Sequence, residues 1–298
     1  MVKFNFLIYI CLFPIILNVG ILISQDDKDT ISDTNFEEFL NFLYQSKNVQ
    51  LNNNYLNLAY GTSNLFSGYG FKNSLSVAYN FKIEYGFLRI SPTYEDLILY
   101  LASEGAYLGN VSSHLKPKSW KNSGLLFDAW NFGLNYKNGY GYRFDDGFQL
   151  FFLHYGSIDW KKIDFETFSE NESINKNLKG YNQDFRFGTS YESEIRAIIS
   201  NILMLQINYS ESHLFRRHLF GLWAIGAIGE LILQRGIDLA MPEIINYIPV
   251  FQPIFNIAIK TFVSAIIYSK RKSNAFFPFS SESPLRFENI RLSIGLSF

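Results

Sequence analysis

From Leu51 onward apolar and polar positions alternate. Leu75, Val77, Tyr79, Phe81, Ile83 and Tyr85 interleave with Ser74, Ser76, Ala78, Asn80, Lys82 and Glu84. Trp130, Phe132, Leu134 and Tyr136 interleave with Ala129, Asn131, Gly133 and Asn135, and Phe185 and Phe187 with Asp184, Arg186 and Gly188. Leu203, Leu205, Ile207 and Tyr209 alternate with Met204, Gln206, Asn208 and Ser210. Successive side chains of a strand point to opposite faces, so each run has one apolar face and one polar or small face. The run from Ser74 to Tyr85 is longer than the ~5–6 residues of a usual soluble strand. It suits the ~9–11 residues a tilted strand needs to cross a bilayer.

Turn chemistry punctuates these runs at Gly68-Tyr69-Gly70, Lys137-Asn138-Gly139, Asp145-Asp146-Gly147 and Lys179-Gly180. Asn138-Gly139 and Asp146-Gly147 suit tight hairpins, where a positive φ is required. The polar stretches 109–123 and 157–182 are expected to be external loops. Seven or eight strands are expected before residue 211. The fold predicted is mainly β: an antiparallel transmembrane barrel of about 8–10 strands, with twelve as the alternative, a short N-terminal helix and a helical insertion before the last strand.

The last strand alternates without a break. Ile290, Leu292, Ile294, Leu296 and Phe298 lie on one face, Asn289, Arg291, Ser293, Gly295 and Ser297 on the other. Over this dozen residues the chain resembles the terminal strand of bacterial outer-membrane barrels. The resemblance implies that the apolar residues and the final Phe298 form the signal read by the barrel-assembly machinery. More loosely, NVSSHLKPKSW, DAWNFGLNYKNGYGY, RRHLFGLW and the last strand resemble a family of uncharacterised predicted envelope proteins, from which no functional residue carries over.

The first residues read as an export signal: Lys3 precedes a nearly continuous apolar run from Phe6 to Ile23, and polar residues begin at Ser24. Leu22 and Ile23 are poor residues before a cut after Ser24, so an uncleaved anchor is an alternative. Phe36, Phe39, Leu40 and Leu43 recur at helical spacing, with Asp33 or Thr34 as cap. The chain thus divides into a signal peptide over 1–24, a periplasmic lead over 25–50, barrel strands over 51–211, a helical insertion over 212–285 and a closing strand over 286–298.

The insertion breaks the pattern. Leu219 to Gln234 is apolar apart from Glu230, Ile254 to Ser269 is interrupted by Asn256 and Lys260, and Pro242, Pro249 and Pro253 lie between or at the runs. Each run falls short of the ~20 residues of a straight transmembrane helix. A charge facing lipid at Glu230 or Lys260 would be costly. Two helices do not fit inside a barrel of about eight strands, whose interior side chains fill. Packing on the barrel mouth or at the lipid interface is therefore expected over a plug.

Composition narrows the chemistry. Of 298 residues, 18% are aromatic, as in the interfacial girdles of barrels, and only 18% are charged with a net charge of −1, which argues against a nucleic-acid face. The one cysteine, Cys11, lies in the export segment, so no disulfide or thiolate metal site is expected in the mature chain. No phosphate loop, H-E-x-x-H, C-x-x-C or G-x-S-x-G is present. No catalytic residue, metal or cofactor is assigned. His114 reads as a solvated loop residue and His154 as a buried or lumen-facing structural one. Arg216, Arg217 and His218, with Glu230 beyond, are candidates to hold lipopolysaccharide phosphates, against the alternatives of a solvated rim or an internal salt bridge. The expected partners are outer-membrane lipid and lipopolysaccharide, and the assembly machinery during biogenesis. A non-enzymatic structural, binding or small-pore role is the first reading. The alternatives are an envelope lipid-modifying enzyme with its site on the rim or insertion, and an inner-membrane-anchored protein with a periplasmic β domain.

Overall fold

The computed structural model describes residues 51–67, 75–94, 97–115, 125–145, 147–166, 172–217, 219–244, 249–279 and 281–298. The expected signal over 1–24, the lead over 25–50 with its amphipathic helix, and His218 lie outside them.

Eight strands form one antiparallel ring: β1 (Leu51–Ser67), β2 (Ser76–Tyr94), β3 (Ile98–Ser112), β4 (Phe127–Arg143), β5 (Phe148–Phe165), β6 (Phe185–Ile199), β7 (Leu203–Leu214) and β8 (Leu285–Ser297). Each pairs with its successor, and β8 pairs with β1, Leu292 opposite Tyr60, so the barrel closes. The count is the lower end of the expected range. Closure leaves no edge on which another chain could add a strand. Strand lengths of 12 to 19 residues exceed what a bilayer requires.

One expected turn and two expected loops are corrected. Lys137-Asn138-Gly139 lies inside β4, not at a hairpin, because ladder pairing on both sides overrides the local preference of Asn-Gly. A Cβ at Gly139 would collide with the Phe152 carbonyl, which is why glycine stands there. Likewise β3 runs to Ser112 and β5 to Phe165, so much of the expected loops 109–123 and 157–182 is strand.

The faces are inverted relative to a soluble barrel. Leu58, Phe81, Ile83, Trp130, Leu134 and Leu292 are exposed on the outside, while Asn57, Lys82, Glu84, Lys137, Glu192 and Arg291 are buried inside. Apolar side chains close the interior above and below this polar layer. At the end carrying the start of β1 and the end of β8, here the lower end, Tyr55, Leu88, Leu101, Phe151 and Met204 pack together. At the upper end Leu65, Phe127, Phe165, Leu214 and Phe287 do so, covered by Leu178 of α1 (Glu172–Lys179) and by Tyr181, whose phenol burial pushes up.

The insertion forms a hairpin of two helices, α2 (Phe220–Ile244) and α3 (Gln252–Arg271), with a 3-10 turn at Pro249–Phe251 leading into α3. Both outrun their apolar runs and so exceed the expected lengths. Pro253 is tolerated because it lies in the first turn of α3, where a backbone donor has no helical acceptor. The hairpin sits neither on the mouth nor in the lumen. α3 packs lengthwise on the outer wall against β4, β5 and β6, and α2 packs on α3 through Ile237, Ile259 and Val263.

Candidate functional site

Three places gather polar chemistry: the lumen, the seam under the hairpin and the upper rim. In the lumen Lys137 Nζ lies 2.6 Å from Glu84 Oε1 and 3.4 Å from Glu194 Oε2, and Lys82 Nζ 3.0 Å from Glu84 Oε2. Tyr55 Oη donates to Glu84 at 2.6 Å, Arg196 pairs with Glu194 at 2.7 Å, and Arg291 pairs with Glu192. Five cations (Lys82, Lys137, Lys161, Arg196 and Arg291) thus face four carboxylates (Glu84, Asp159, Glu192 and Glu194) in the middle layer, nearly balanced and out of bulk water. A cavity beside Asn80, Tyr107, Asp159 and Arg291 measures about 30 Å³. That admits a water or two and no larger ligand. An eight-stranded interior is filled by its own side chains, and this one follows that rule.

The seam lies on the other side of the wall. Asn138 on β4 is opposite His154 on β5, which is opposite Ser193 on β6, one polar row facing outward where neighbouring rows are apolar. It meets a polar stripe on α3: Asn256, Lys260, Ser264 and Tyr268 recur every four residues, the spacing of one helix face, and all are buried. Lys260 Nζ reaches Asp238 Oδ1 of α2 at 2.7 Å and Asn138 Oδ1 at 2.9 Å, and Asn256 Nδ2 donates to Asp238 at 2.9 Å. His154 Nε2 is 3.0 Å from Ser264 Oγ, and Ser193 Oγ is 2.7 Å from Thr261 Oγ1. Glu230 and Arg271 pair at 2.8 Å higher up. His154 is therefore buried but faces the hairpin, not the lumen. Ser264 and His154 have the relation of nucleophile and base, yet Ser264 has no exposed surface, so no ester reaches it while the hairpin is seated.

At the upper rim Arg216 and Arg217 converge on Glu282, at 3.6 and 3.4 Å, and Glu230 serves Arg271 instead. Arg217 keeps 72% of its side chain exposed. A second cluster places His213, Lys272 and Arg286 around Glu211, at 2.9, 3.4 and 3.6 Å. His114 bonds Glu166 at 2.6 Å between two upper loops. Among the described residues no group of His, Cys, Asp and Glu is arranged to hold a metal ion. On β8 Ile290, Leu292, Ile294 and Leu296 point outward, and Phe298, just past its end, is exposed and exchanges both backbone hydrogen bonds with Asn54 at 2.9 Å.

Sequence reasoning singled out Arg216, Arg217 and the alternation of the last strand but missed the seam. The available signal was Asn256, Lys260 and Ser264 at intervals of four in an otherwise apolar run.

Closed antiparallel ring, apolar exterior and polar, filled interior together define the class of transmembrane β-barrels. No protein-family model matches the chain, and no curated protein matches its sequence. Among solved structures it is similar to Neisserial surface protein A, at 7% identity and a TM-score of 0.39 over 82% of this chain and 97% of that one. It is also similar to Ail, the attachment invasion locus protein of Yersinia pestis, at 8% identity and a TM-score of 0.31 over 83% and 98%. A further structure of Ail, in complex with the heparin analogue sucrose octasulfate, gives 9% identity and a TM-score of 0.32 over 83% and 99%. Likenesses this distant carry no argument about role.

Proposed function

We propose that the chain is an outer-membrane β-barrel with a non-enzymatic structural or binding role, its lumen devoted to stability and its outer wall and rim to envelope lipid. The observation that carries this reading is the interior: a buried ionic layer between two apolar ones. A barrel so filled offers no continuous aqueous path, which turns the reading away from a pore. The inverted faces support a lipid surrounding, where a closed ring satisfies every ladder hydrogen bond internally. Ile290, Leu292, Ile294, Leu296 and Phe298 act as the assembly signal, and residues 1–24 direct export through the inner membrane. Arg216 and Arg217, with His218 beside them in sequence, take lipopolysaccharide phosphate at the rim. The test is fractionation of the host, followed by electrophoresis with and without boiling and by recording in planar bilayers. Outer-membrane recovery, a heat-dependent mobility shift and no conductance are expected. Steady single-channel currents would overturn the sealed-barrel reading, and inner-membrane recovery without a shift would overturn the location.

A further inference from the structure

The helical hairpin has two opposed surfaces. Its underside carries Glu230, Asp238, Asn256, Lys260 and Ser264, all engaged with each other, with Arg271 or with the wall. Its outer side carries Ile225, Ile228, Ile232, Ile254 and Phe262, all exposed, with Ile228 at 57% and Phe262 at 58%. In water this arrangement is inside out, because the charges are hidden and the apolar residues are bare. It is what a helix pair needs when its outer side meets acyl chains and its polar groups must be satisfied within the protein.

Position and length agree. α2 begins at Phe220, six residues beyond the upper end of β7, and Lys272, just past α3, lies beside Glu211 of β7. Below, Tyr142 near the end of β4 donates to the carbonyl of Val250 at 2.5 Å. The hairpin therefore runs from one rim to the other. The 20 residues of α3 span about 30 Å, and Phe220–Ala240 is apolar enough for a membrane span with only 6% of its window buried. The hydrocarbon of a bilayer is about 30 Å thick. The apolar belt of the wall continues beside the hairpin, through Phe132 and Leu134 on β4 and through Ile207 and Leu292 on β7 and β8. Exposed Lys270 and Arg217 stand at the upper end, at headgroup level, and exposed Phe251 and Phe255 at the lower.

We infer that the α2–α3 hairpin crosses both leaflets beside the barrel, its outer side covered by lipid acyl chains, so that barrel and helices form one transmembrane body. This rests on the reading of the barrel as a membrane protein. The experiment uses the full chain with Cys11→Ser and one new cysteine at a time: Ile228→Cys, Phe262→Cys, Lys270→Cys and, as reference on the barrel belt, Leu292→Cys. Each is challenged in outer-membrane vesicles with a polyethylene-glycol maleimide. Each is also labelled with an environment-sensitive dye and placed in phosphatidylcholine vesicles bearing nitroxides on the acyl chains. Lys270→Cys should react with the maleimide. Ile228→Cys and Phe262→Cys should resist it and lose as much fluorescence to the nitroxides as Leu292→Cys. Reaction at Ile228→Cys and Phe262→Cys with Leu292→Cys protected would overturn the inference alone. Reaction at all of them would overturn the membrane reading beneath it. Protection without quenching, together with oxidative cross-linking through Ile228→Cys, would put a second copy of the chain on that surface and end the lipid assignment.

Discussion

Lys260 of α3 and Asp238 of α2 meet at 2.7 Å, and both hydrogen-bond Asn138, a strand residue on the lipid-facing side of the barrel wall. Three elements are tied at one buried point. A charge at such depth is tolerated when its partner is held in place, and removing one partner strands the other.

Lys260→Met takes from the buried Asp238 its cation at 2.7 Å and leaves the Asn138 and Asn256 amides beside it. Loss of one member of a buried pair costs about 3–5 kcal/mol, whereas an apolar replacement of both is close to neutral. Lys260→Met should therefore open the α2–α3 connection to protease in detergent, and Lys260→Met with Asp238→Leu should largely restore resistance. Equal sensitivity of single and double variants would refute the role given to the pair.

Glu84 is the acceptor of Tyr55, Lys82 and Lys137 in the lumen. Glu84→Gln keeps the shape and removes the charge that two lysines face, a loss of at least about 2 kcal/mol. A lower urea midpoint for unfolding from detergent micelles is expected, with planar-bilayer recordings still silent because both apolar layers remain. A midpoint unchanged from the parent would show that the lysines find other partners.

Replacing Arg216 and Arg217 by Gln removes the two cations facing Glu282. Both are partly or largely exposed, so stability should change little. Binding of the purified barrel to lipopolysaccharide should fall, more steeply at low salt, where exposed charges are less screened. Binding that is unaffected at every salt concentration would remove these residues from the site.

Phe298→Ala leaves the two backbone bonds to Asn54 intact and deletes a side chain that is 63% exposed on the outer face. Refolding of the purified variant into micelles should match the parent, while its yield in the outer membrane of growing cells should drop several-fold. A parallel loss in both settings would mean that Phe298 serves barrel stability, not recognition.

Where a position's role follows from its own strand, the sequence is legible. The period of two in 74–85 groups Leu75, Val77, Tyr79, Phe81, Ile83 and Tyr85 on one face, and the structure exposes Val77, Phe81, Ile83 and Tyr85, while Tyr79 is buried. On β8 the alternation holds from Asn289 to Ser297, while Leu285, Arg286 and Phe287 at its start are all buried. Asn138 was misjudged as a turn residue, and the side to which the buried His154 faces was left open, because what covers them lies more than a hundred residues away in sequence. No local pattern tells an outward Asn under a helix from an Asn in a turn. Lys137 shows the same limit, since its turn-like neighbours hide an ion pair with Glu84, across the lumen on β2. The helix termini were likewise misplaced. An apolar window stops at Gln234 because the next turn carries Arg235 and Asp238, residues the seam side of α2 accommodates.

The chain places α2 and α3 between β7 and β8. The polar row on β4, β5 and β6 is made before its cover in any synthesis from the N-terminus, and the strand that closes the ring is made last, after the cover. Biogenesis thus has a built-in sequence of events. The helices must be parked against the unfinished wall, or travel with the final strand as it docks. A chain that closed its ring first would leave Asn138, His154 and Ser193 uncovered on the outer wall and the apolar hairpin unseated.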